Sequence, residues 1–129
     1  MRIEHLAIWT NQLEVLKTFY QKFFGASAND KYYNPKKEFS SYFLSFSDGA
    51  RLELMQMPGI PGNSNDLMQQ NTGFIHFAMS VGSKEAVDAL TEAIRAEGFT
   101  ILGEPRWTGD GYYESVILDP DNNRIEITI

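Results

Sequence analysis

Along residues 124–129 apolar and polar positions alternate: Ile125, Ile127 and Ile129 share one parity, and Arg124, Glu126 and Thr128 share the other. A period of two is that of a strand with one face buried. The same alternation sets Leu52 and Leu54 against Arg51, Glu53 and Met55, and Leu6 and Ile8 against His5 and Ala7. It also sets Ile75, Phe77, Met79 and Val81 against His76, Ala78 and Ser80. Two stretches follow the helical period instead: Leu13, Leu16, Phe19, Tyr20 and Phe23 within residues 12–24, and Val87, Leu90 and Ile94 within 84–97. Thr10, Asn11 and Ser83 are capping residues at their starts, and Gly25 and Gly98 supply their stops.

In chain order the pattern predicts a strand over residues 2–9, the first helix, an extended segment over 26–33, a turn at Asn34-Pro35, and strands over 40–47 and 51–57 joined at Asp48-Gly49. Residues 58–72 lack periodicity and are rich in Pro, Gly, Asn and Gln, which suits a linker or a mobile lid. The order then repeats: strand 74–81, helix 84–97, a short strand at 100–102, a glycine-bearing region at 107–111, strand 112–118, the turn Asp119 to Asn123, and the last strand. Asp48-Gly49-Ala50-Arg51-Leu52-Glu53-Leu54 repeats the pattern of Asp121-Asn122-Asn123-Arg124-Ile125-Glu126-Ile127. The expected architecture is therefore α+β: two tandem β-α-β-β-β modules, residues 1–57 and 73–129, within one domain, with sheets curled around a site.

Each copy has a histidine upstream. His5 and His76 are the only two in the chain, separated from Glu53 and Glu126 by 48 positions (53 − 5) and 50 positions (126 − 76). All four fall on the less aliphatic faces of their strands. Matched offsets in two copies point to a shared role, and two imidazoles with two carboxylates suit a divalent first-row ion: Ni, Zn, Co, Mn or Fe. With no cysteine, thiolate ligation and a thiol nucleophile are excluded. Two positions of a six-coordinate ion would remain for water or substrate. A metal there could polarise a carbonyl and stabilise an enediolate while a carboxylate moves a proton.

Composition narrows the partners. A 129-residue chain that is 43% hydrophobic can bury a core without staples. Its net charge of −6 argues against binding a phosphate backbone. No apolar run reaches membrane-spanning length, and residues 2–9 read as a strand rather than a leader, so no membrane partner and a cytoplasmic location are expected.

The duplicated modules, the His-Glu-His-Glu set and the Asp119-Pro120-Asp121 turn before Arg-Ile-Glu resemble the vicinal oxygen chelate superfamily of glyoxalase I, fosfomycin-resistance proteins, extradiol dioxygenases and bleomycin-binding proteins. The resemblance covers essentially the whole chain. His5, Glu53, His76 and Glu126 match the four metal ligands of bacterial glyoxalase I (lactoylglutathione lyase). It implies that Glu126, with Glu53 as its counterpart, is the catalytic base that shuttles a proton between adjacent carbons of the substrate. It further implies a homodimer whose sites combine His5 and Glu53 of one chain with His76 and Glu126 of the other. The superfamily's alternatives are a dioxygenase or thiol transferase using two His and one Glu, and a metal-free drug-binding protein. Where glutathione-using relatives carry Arg and Asn anchors, this chain has Trp9 and Met57. The expected small-molecule contacts are Trp9, Arg106, Tyr113 and Glu114, with Arg51, Lys36 and Lys37 as further cations and Trp107, Met55 and Tyr112 as further wall residues.

Overall fold

Alternation places the strands. In the computed structural model, which describes residues 1–64 and 66–129, the first module comprises β1 (His5–Trp9), α1 (Leu13–Phe24), β2 (Ser27–Ala28), β3 (Tyr32–Asn34), β4 (Phe39–Ser45) and β5 (Arg51–Gln56). The second comprises β6 (His76–Ser80), α2 (Lys84–Ala96), β7 (Ile101–Trp107), β8 (Tyr113–Leu118) and β9 (Arg124–Thr128). The chain divides into two units, Met1–Ser64 and Asn65–Ile129, and the boundary falls within the expected linker, whose Asn65 lies outside the described residues.

Both sheets are open, and they have the same topology. Strand order is β1-β5-β4-β2 in the first, with β3 also pairing β4, and β6-β9-β8-β7 in the second. In each module the first strand lies parallel to the last, and the remaining pairings are antiparallel. One face of each sheet carries a helix: α1 lies on β5, β4 and β2, and α2 on β8, β7 and β9. Leu13, Leu16 and Tyr20 of α1 are buried with Leu44, Leu52 and Leu54 of its sheet, as are Val87 and Ile94 of α2 with Ile117, Ile125 and Ile127 of the other. Each such aliphatic side chain contributes about 1.5–3 kcal/mol by burial.

Caps and latches fix the helices. Ser83 Oγ accepts the Ala86 N–H at 3.1 Å, as expected of an N-cap. At α1 the cap position is Gln12, which makes no side-chain cap; the Thr10 hydroxyl instead accepts the Gln12 N–H at 2.9 Å, just ahead of the helix. Gly25 ends α1 with φ of 63°, a left-handed conformation costly for a side chain bearing Cβ. Beneath α2 the buried Thr91 hydroxyl donates to the Val87 carbonyl at 2.7 Å, so the Ser115 hydroxyl donates to Thr91, also at 2.7 Å.

Glu14 latches α1 to its sheet. Its carboxylate accepts from Lys17 at 2.6 Å, Lys31 at 3.1 Å and the Tyr42 hydroxyl at 3.0 Å. The Lys17 hydrogen bond, with those from Lys31 and Tyr42, outweighs desolvation and lowers the Glu14 carboxyl from 4.5 to about 2. The folded value is below the unfolded one, so this group stabilises the protein above pH 4.5 and loses that contribution as pH falls toward 2. Because the side chain is 55% exposed, solvent screening limits the effect to about 1 kcal/mol or less. Glu14→Gln should be less stable than wild type at pH 7, and chemical unfolding should show the gap closing through this acidic window. A gap unchanged at pH 2 would contradict the assignment.

Two boundaries differ from the sequence expectation. The extended segment of residues 26–33 is split into β2 and β3, and between them the Asn29 side chain accepts the Phe43 N–H at 2.7 Å, standing in for a ladder bond. The short strand at 100–102 extends to Trp107 despite Gly103 and Pro105. β7 is an edge strand with register shifts on either side of Gly103, where a proline and a bulge are tolerated. Among the described residues, no helix is long and apolar enough to cross a membrane.

Candidate functional site

Parallel pairing of first and last strands brings each histidine to a glutamate. In β1 and β5, His5 lies opposite Arg51 and Ala7 opposite Glu53; in β6 and β9, His76 lies opposite Arg124 and Ala78 opposite Glu126. The register is identical in the two modules. Imidazole and carboxylate are thus diagonal neighbours on the face away from the helix, and the alanine beside each glutamate leaves the carboxylate uncovered. His5 Nε2 is 3.9 Å from Glu53 Oε2, and His76 Nε2 is 3.3 Å from Glu126 Oε2. The imidazoles are 40% and 39% exposed and the carboxylates 15% and 20%, so a small ligand reaches both from the open face.

A residue that the pattern did not mark anchors the first pair. Glu4 Oε2 is 2.5 Å from His5 Nδ1. A carboxylate only accepts, so Nδ1 carries a proton, and Nε2 is the ring nitrogen turned toward Glu53. Glu4 also accepts from Arg51 Nε at 2.8 Å, and the hydrogen bonds from His5 and then Arg51 hold its carboxyl below the usual carboxylate range. Arg51, an expected anion contact, is thereby engaged in an ion pair and lies 4.2 Å over the Phe43 ring, which meets His5 edge-on at 5.4 Å.

The structure brings the four expected ligands together as two pairs, one in each module. Among the described residues, no group of three or more His, Cys, Asp or Glu side chains gathers to hold a metal ion. In donor type each pair fits a divalent first-row ion: an imidazole nitrogen beside a carboxylate oxygen, with an acidic residue orienting the His5 ring from behind.

The remaining candidates separate by face. Trp9 continues the His5 face at the end of β1, 41% exposed and edge-on to Phe39 at 6.0 Å, beside Met55 in register. Glu114 and Val116 share the Glu126 face; Glu114 pairs with Arg106 at 3.3 Å. Burial, and then the charge of Glu126, hold the Glu114 carboxyl above its ordinary range, while Arg106 opposes them. Tyr113 does not share that face. It is buried on the opposite face, its hydroxyl donating to Asp88 of α2 at 2.8 Å and its ring lying under Lys84 at 4.7 Å, because its parity in β8 is that of Ser115 and Ile117. Trp107 stacks on the edge of that ring at 5.2 Å and is itself exposed, as is Tyr112. Lys36 and Lys37 lie on an exposed turn. Asp119 is buried, its carboxylate accepting from the Asp121 and Asn123 N–H groups at 2.9 Å each, so the Asp119-Pro120-Asp121 sequence builds a turn.

Two open sheets of this topology, each with a histidine on its first strand and a glutamate on its last, define a vicinal oxygen chelate fold. The family model described as the Glyoxalase/Bleomycin resistance protein/Dioxygenase superfamily matches residues 2–127, and the chain belongs to that superfamily. It is similar to YqjT, an uncharacterized protein of Bacillus subtilis (strain 168), at 26% identity over 128 residues, covering 97% of this chain and 96% of that one. Among solved structures it resembles glyoxalase I from Zea mays, with a TM-score of 0.79 and 26% identity over 98% of this chain, and it spans 44% of the maize chain. The trypanothione-dependent glyoxalase I of Leishmania major has the same fold, at a TM-score of 0.77 and 22% identity, covering 99% of this chain and 86% of that one.

Proposed function

We propose that this protein is a metal-dependent lyase or isomerase of the glyoxalase I type, acting on a small substrate with oxygens on neighbouring carbons. The observation that carries this reading is the repeated register of the two His–Glu pairs, each open on the face away from its helix. Similarity to the maize glyoxalase I supports it. His5, Glu53, His76 and Glu126 would hold the ion. When bound, the divalent metal supplies Lewis acidity toward the substrate oxygens.

The chain's own groups supply the rest. Glu126, with Glu53 as its counterpart, takes a proton from one substrate carbon and returns it to the next. Glu4 keeps the His5 ring in one tautomer and orientation. Ala7 and Ala78 leave the carboxylates room to move. In the same reading the protein acts as a homodimer, with His5 and Glu53 from one protomer and His76 and Glu126 from its partner, and it works in the cytoplasm.

The test is elemental analysis of purified protein, reloading with Ni²⁺, Zn²⁺, Mn²⁺ or Fe²⁺, and assay with methylglyoxal and thiols. Near-stoichiometric metal that falls in Glu53→Gln is expected. Retention of metal by that variant favours a two-His, one-Glu site of dioxygenase or transferase type. Absence of metal together with no uptake on reloading overturns the proposal in favour of a binding protein.

A further inference from the structure

The two modules repeat each other in register but not in charge. Arg51 and Arg124 hold equivalent places, each two residues before the glutamate and opposite the histidine. In the first module the residue preceding the histidine is Glu4, and it neutralises Arg51. In the second it is Ile75, and Arg124 donates instead to the Leu67 carbonyl, a neutral acceptor. Among the described residues Arg124 makes no ion pair. The cation recurs in both modules and its counter-ion does not.

Arg124 lines a cleft of about 350 Å³ together with Arg106, Gln70, Gly103, Glu104 and Val116. Its one lining carboxylate, Glu104, is already held by Arg95 at 2.6 Å, and the other charged residues of the lining are Arg124 and Arg106, the latter shared with Glu114 at 3.3 Å. Val116 pairs with Glu126 on one side and with Gly103 on the other, so the cleft adjoins the proposed proton-transfer carboxylate on the same sheet. Gly103 keeps it open: a Cβ there would stand 3.3 Å from Arg106 Nη1 and 3.4 Å from Val116. The register shifts around Gly103 turn β7 so that Arg106 lines the cleft as well as pairing with Glu114.

We propose that this cleft is a subsite for a carboxylate of the substrate, bound by Arg124 and Arg106, and that the substrate class is a small organic acid. A guanidinium fork matches a carboxylate, and in a protein of net charge −6 a local pair of arginines is what draws an anion to this face. The volume is at the lower end of ligand sites, suiting a small acid rather than a nucleotide or peptide. The substrate assignment rests on the proposed role of Glu126; the binding site itself does not.

The test is an NMR titration of isotope-labelled, full-length protein with sodium butyrate, with butyramide and inorganic phosphate as comparisons. Saturable shifts are expected at residues 102–106, 116 and 124 with butyrate and none with butyramide. Arg124→Gln and Arg106→Gln should each weaken binding by about tenfold, as expected for loss of a charge-assisted hydrogen bond. Lys22→Gln, which removes the same charge from the exposed end of α1 in the first module, should leave it unchanged. The spectra report folding of each variant directly. Non-saturating shifts, equal response to butyramide, or equal weakening in Lys22→Gln would overturn the proposal, as would binding of phosphate but not butyrate. The titration reads binding without turnover, so a metal-free or inactive protein would still bind butyrate. Failure to bind in a metal-loaded, active protein removes the subsite alone.

Discussion

Glu126→Gln should lower turnover by roughly two to four orders of magnitude, the range for removing a general base. The substitution keeps shape and hydrogen-bonding length but cannot accept a substrate proton. The side chain lies on the open face, 20% exposed, and its neighbours in register are Ala78 and Val116, so the fold should be unaffected. Circular dichroism and chemical unfolding of the variant should therefore match wild type. Metal content measured on the same preparation separates two causes of lost activity. Lost metal assigns Glu126 to ligation, and retained metal with lost turnover assigns it to proton transfer. Near-normal turnover with metal retained would remove Glu126 from the mechanism altogether.

One residue further along the strand, the expected loss is of stability instead. Ile127→Ala should cost about 2–5 kcal/mol, through lost transfer energy and the cavity left behind. Ile127 is wholly buried on the helix-covered face, opposite Ser115 on β8 and Met79 on β6. Against a typical stability of about 5–15 kcal/mol, that is a large fraction. Ile129 shares its parity but is 36% exposed beyond the end of β9, and Ile129→Ala should cost well under half as much. Urea unfolding of the two variants gives the comparison. Equal losses would mean that alternation in β9 does not set burial as described.

That alternation is why so much was legible in advance. Each His and Glu was assigned to the face opposite its strand's aliphatic residues, and the structure places them there because the period of a strand leaves no other option once Ile125 and Ile127 are buried. The repeated Arg-x-Glu likewise made the duplication visible, and with it the fold. Glu4 was not legible. It precedes β1, where alternation no longer constrains direction, and its partners include Arg51, which is 47 positions away. Nor was the cleft, since it depends on a bulged strand containing Gly103 and Pro105, which weaken the local strand signal, and on Gln70 from a segment without periodicity. The direction of Tyr113 was hard to read for a related reason. Its neighbourhood of glycines suggested a loop mouth, whereas β8 begins at Tyr113 itself and gives it the parity of the core.

In each module the histidine is on the first strand and its glutamate on the last, with every other element of the module between them in sequence. Closing that contact requires ordering a loop of about fifty residues, an entropic cost met only when the intervening helix and hairpin are already packed. A partly synthesised or partly unfolded module therefore offers a lone imidazole or a lone carboxylate, both poor chelators. The pair exists only in the finished fold, so neither module presents an imidazole beside a carboxylate until its folding is complete.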